Sequence, residues 1–67
     1  MTEDEIITEI RIHIAKNFNG KSKSFAKHIG VTPSAVSIVL RKIRPPTERI
    51  LNEIGYKKIE KTEYVKL

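Results

Sequence analysis

AKHIGVTPSAVSIVLRK, Ala26 to Lys42, joins two runs of apolar residues through a glycine and a Thr-Pro pair. Gly30 stands where the chain must turn, a place at which a positive φ carries no Cβ penalty for glycine. Thr32 is a good helix N-cap. Pro33 suits the first helical position, since the N–H it lacks is not needed there and its fixed φ is already helical. Val36, Val39, Leu40 and Ile43 then recur at spacings of three and four, which predicts a helix from Pro33 to about residue 42. Its first turn carries Pro33, Ser34 and Ala35, short residues where a core-facing helix would place bulky ones.

Upstream, Ser22 is positioned to cap a shorter helix ending at Gly30. Phe25, Ala26 and Ile29 form its buried stripe, with Lys23 and Lys27 outward. Ala26 falls where the two helices approach too closely for a larger side chain, and Val31 anchors the turn. Two short helices joined by a glycine-containing turn of about three residues describe a helix-turn-helix, here over residues 22–41.

The rest of the chain frames this unit. Thr2 followed by Glu5 is a capping-box pattern. Ile6, Ile7, Ile10, Ile14, Ala15 and Phe18 continue at helical spacing to a stop at Gly20, predicting a first helix over about 3–18. Arg44-Pro45-Pro46-Thr47 breaks the third helix, because a residue before proline is pushed out of the helical region. A fourth helix is expected over about 46–54, with Ile50, Leu51 and Ile54 buried and Gly55 ending it. The tail, residues 56–67, has no helical stripe, but Ile59, Thr62, Tyr64 and Val65 suit an extended strand. A lone strand is unstable, so it must pair within the chain, pair with a second subunit, or fray.

Sixty-seven residues make one domain, and a chain this short buries only about 60% of its unfolded surface. There is no cysteine, hence no disulfide and no thiolate metal site. No run approaches a membrane span, and the acidic start MTEDEIITE is unlike a signal peptide, so a soluble, cytoplasmic protein is expected. The net charge of +5 is unevenly spread: residues 20–44 hold Lys21, Lys23, Lys27, Arg41, Lys42 and Arg44 and no acid. A basic block on the helix pair points to a polyanion partner.

Chemistry-bearing constellations are missing. His13 and His28 have no second ligand at metal spacing, so no metal is expected. Glu3, Asp4 and Glu5 are explained by helix capping and the helix dipole. The serines and tyrosines have no partnered base, and there is no phosphate-cradling glycine loop. The chain reads as a non-enzyme without catalytic residues, cofactor or small-molecule ligand.

At AKHIGVTPSAVSIVLRK the sequence resembles the helix-turn-helix repressors of the lambda Cro type, in the broader XRE-like group. The resemblance covers about 20 to 25 residues strongly and the whole chain weakly. It implies a mostly α fold, a four-helix lambda repressor-like domain with a short C-terminal strand or tail. It further implies a phage or prophage transcriptional repressor that binds double-stranded DNA, with the third helix in the major groove. Pro33, Ser34, Ser37, Ile38 and Arg41 match the family's groove-facing positions. Lys21, Ser22, Lys23, Lys27, Thr32, Lys42 and Arg44 are the implied phosphate contacts. Ile38 departs from a position that is commonly polar in the family, and suits either a thymine methyl or packing. Pro33 replaces a residue often bearing an amide, so the family's operator sequence is not inherited. The resemblance also implies a homodimer, weak in solution or assembled on a pseudo-palindromic operator, with Ile59, Thr62, Tyr64 and Val65 pairing across the two-fold axis. The competing reading is a small helical adaptor or antitoxin-like module that binds an acidic protein.

Overall fold

The computed structural model describes residues 1–60 and 63–67. Among them are four helices followed by one antiparallel hairpin: α1 (Glu3–Asn17), α2 (Ser22–Ile29), α3 (Pro33–Leu40), α4 (Glu48–Ile54), β1 (Tyr56–Glu60) and β2 (Glu63–Lys66). No helix among the described residues is long and apolar enough to cross a membrane.

Local chemistry sets the helix boundaries. Thr2 and Glu5 form the capping box of α1, each side chain meeting the other's backbone N–H at 3.3 and 3.0 Å. Those hydrogen bonds hold the Glu5 carboxyl below the usual range for a glutamate. Thr32 and Thr47 cap α3 and α4 with the threonine side chain alone, accepting from the Ala35 and Ile50 N–H groups. Helix α2 differs: its N-cap is Lys21, which offers no side-chain bond, and Ser22 is already helical. Ser22 therefore does not cap the helix, contrary to the expectation from sequence.

Glycine closes α2 and α4. Gly30 and Gly55 have φ of 77° and 84°. At Gly30 the Val31 N–H reaches back to the Ala26 carbonyl at 2.9 Å, a Schellman closure. Helix α3 ends in the same way without glycine. Lys42 takes a φ of 63°, and the Ile43 N–H donates to the Ile38 carbonyl at 3.0 Å. This closure stops α3 at Leu40, earlier than expected. It leaves Ile43 outside the helix and 61% exposed, so Ile43 is not part of the core stripe. Ala15 is likewise exposed, and α4 begins at Glu48 rather than near residue 46.

One core unites all six elements: Ile6, Ile7, Ile10 and Ile14 from α1, Phe25 and Ala26 from α2, Val36 and Val39 from α3, Ile50 and Leu51 from α4, then Tyr56 and Tyr64. Ile29, Leu40 and Ile54 pack at its margin. Fully burying a side chain of this size contributes roughly 1.5–3 kcal/mol, so loss of any one would be felt throughout so small a domain.

The tail pairs within its own chain. Tyr56, Lys57 and Lys58 face Lys66, Val65 and Tyr64, and the register slips between Lys58 and Glu60. The far side of β2 is held as well, since the Tyr64 N–H and carbonyl bond Met1 at 2.9 and 2.7 Å. Tyr56 adds a hydroxyl bond to Glu9 at 3.1 Å, which together with burial raises its pKa. Tyr64 is therefore a core residue of its own domain and is not available to pair with a second subunit. Thr62 lies outside the described residues.

Candidate nucleic-acid interface

At about 100° per residue, Val36 and Val39 fix the inward side of α3. Ser34, Ser37, Ile38 and Arg41 fall within an arc of about 100° on the opposite side. Exposure agrees with this geometry: Pro33, Ser34 and Arg41 are exposed, and Ser37 and Ile38 are half-buried. Thr32 is exposed too; its hydroxyl oxygen accepts from the Ala35 N–H at 3.2 Å, and its O–H remains free to donate elsewhere.

Ile38 is neither a member of the core cluster nor one of the partly buried residues packed against it. It is sheltered locally, where the chain doubles back at Lys42 to bring the Ile43 and Arg44 N–H groups onto its carbonyl.

The cations of residues 20–44 are unequally free. Lys21, Lys23, Lys27, Arg41 and Arg44 are exposed and form no salt bridge among the described residues. Lys42 is engaged with Asp4 at 2.5 Å, which draws it toward α1. Ser22 is half-buried at the start of α2, whose first turn has neither a side-chain cap nor an acid. The Ser24 N–H turns back to the Lys21 carbonyl at 3.1 Å, and the Ser22 and Lys23 N–H groups remain open to an outside acceptor, beside the Lys21 and Lys23 side chains.

Two arginines from the flanking helices brace the pair, and neither was singled out from sequence. The Arg11 guanidinium on α1 donates to the Leu40 carbonyl at the end of α3 at 2.9 Å. Arg49 on α4 donates to the Ile29 carbonyl at the end of α2 at 3.4 Å. Each puts a cation at a helix C-terminus, where the dipole favours it. His28 also ties α2 to α4 through Glu53 at 3.2 Å, with its ring 5.4 Å from that of Phe18. His13 packs against Phe18 and Phe25. Both histidines have structural contacts. Among the described residues no three His, Cys, Asp or Glu side chains cluster as a metal site would require.

Of the residues assigned to contact between subunits, Ile59 is 53% exposed and Val65 is half-buried. No family model, curated protein or solved structure matches this chain.

Proposed function

We propose that this chain is a sequence-specific double-stranded DNA-binding protein that represses transcription in the cytoplasm by occupying promoter DNA. In this reading α2, the Gly30 turn and α3 form a helix-turn-helix within a lambda repressor-like domain of phage or prophage type. The leading end of α3 enters the major groove. The observation that carries it is the pairing of short polar residues on the outer arc of α3 with an acid-free segment, residues 20–44, in which five exposed cations form no ion pair among the described residues.

The division of labour follows from chemistry. Lys21, Lys23, Lys27, Arg44 and the open N-terminus of α2 hold phosphates, which supply affinity without sequence preference. Ser34, Ser37 and Ile38 face base edges, and Arg41, at the far end of the helix, favours a phosphate. Thr32 donates from its free O–H. Lys42 makes a lesser contribution because Asp4 already holds it. A helix this short reads few base pairs, so two copies on half-sites about 34 Å apart are expected. Ile59, beside Pro46 and Leu51 in a groove of about 310 Å³, is the tail residue left open to the second copy.

The test is selection of duplexes from a random pool, followed by titration of four variants. Arg41→Ala and Lys27→Ala should weaken binding to every duplex alike, and Ser34→Ala and Ser37→Ala should reorder the preferred sequences. Uniform loss from all four overturns the assigned face. Five phosphate contacts per chain predict that log affinity falls against log salt with a slope of about −4 to −5. A slope this steep favours DNA over an acidic protein partner, and binding that is indifferent to salt overturns the phosphate contacts.

A further inference from the structure

Ile38 is the one apolar member of an arc otherwise made of Ser34, Ser37 and Arg41, and it has no place in the core. Val36 and Val39 hold α3 to the core from the other side, and Ile38 keeps part of its side chain exposed on the outer arc. Its apolar surface gains most when a partner covers it. In the major groove the apolar feature carried by a base edge is the methyl group at C5 of a pyrimidine.

The flanking side chains sharpen the point. A serine hydroxyl can donate to the O4 acceptor of thymine or accept from the N4 amino group of cytosine, so Ser34 and Ser37 do not by themselves separate the two bases. What Ile38 can sense is whether a methyl is present, and thymine and 5-methylcytosine present it at the same ring position. Resting on the DNA-binding reading above, we propose that Ile38 makes this protein a reader of C5 methylation: at one base pair per half-site it favours a methylated pyrimidine, either thymine or 5-methylcytosine.

The experiment begins with a duplex recovered from the random pool. Each thymine is replaced in turn by deoxyuridine, which lacks only the methyl. One position per half-site is expected to lose about fourfold in affinity, as follows from burying one methyl-sized group. At that position a cytosine–guanine pair is then compared with its 5-methylated form, and methylation should tighten binding by a similar factor. In Ile38→Ala both effects should vanish, and in Ile38→Val both should persist in reduced form. Thermal melts of each variant, with the titrations run well below the lowest melting temperature, separate a lost contact from a lost fold. Binding that tolerates deoxyuridine everywhere, or the same sensitive position in Ile38→Ala, overturns the role of Ile38 and leaves DNA binding standing. Failure to recover any duplex overturns both.

Discussion

A Cβ at Gly30 would meet the Arg49 guanidinium at 3.3 Å, and the backbone there has a φ of 77°. The guanidinium is the far end of a flexible side chain and can swing aside, so the left-handed backbone is the dominant cost. Gly30→Ala should destabilise the domain by about 1–2 kcal/mol, measured by urea unfolding. Tyr64 presents the opposite situation, because its buried hydroxyl finds no hydrogen-bond partner among the described residues. Leaving a buried polar group unpaired costs roughly 1–3 kcal/mol, so Tyr64→Phe should raise the melting temperature or leave it unchanged. Burial also raises the Tyr64 pKa above its ordinary 10.0. An acid held protonated by folding stabilises at lower pH and loses that contribution as pH rises past the unfolded value toward the raised one. The Phe variant should therefore lose less stability than the parent above pH 10, as melts across that range would show.

Among the elements, α2 alone begins without a side-chain cap. A free helix start costs stability, and its persistence next to Lys21 and Lys23 fits a position reserved for an outside anion. Lys21→Ser should supply the missing cap and stabilise the fold by about 1 kcal/mol, while weakening DNA binding on all sequences. Thermal melts paired with binding titrations check both halves, and gain or loss in both together would contradict the role given to this helix end. Element boundaries also show how far sequence carries. The threonine caps at residues 2 and 32 and the glycine stops at residues 30 and 55 were legible because each has a local chemical cause. The early end of α3 was not, because Lys42 adopts a left-handed backbone with no glycine to announce it. The hairpin was hidden for a similar reason. Its turn lacks the Asn-Gly or Asp-Gly signal, and the slip beside Ile59 spoils the alternation that would mark two strands.

For the whole molecule, what sequence could not supply were contacts between distant segments. The outer arc of α3 and its basic surroundings were readable, since periodicity and charge are local. Arg11 on Leu40 and Arg49 on Ile29 join residues 29 and 20 positions apart, and nothing near either arginine foretells its partner. The same holds for Lys42, whose attraction to Asp4 depends on how α1 crosses the end of α3. These long-range ties decide which cations are free, and so how strongly a polyanion is drawn to the surface.

The acid-free block of residues 20–44 has one more result, concerning the unliganded molecule. Six like charges gathered on a 25-residue segment repel one another in the folded state more than in an expanded chain, and dissolved ions damp that repulsion. Raising sodium chloride from about 0.01 to 0.15 M, over which the screening length shrinks from roughly 30 to 8 Å, should raise the melting temperature of the free protein. The same addition should loosen its grip on DNA. Electrolyte thus acts as a dial with opposite settings for durability and for attachment, and calorimetry beside a binding titration would read both.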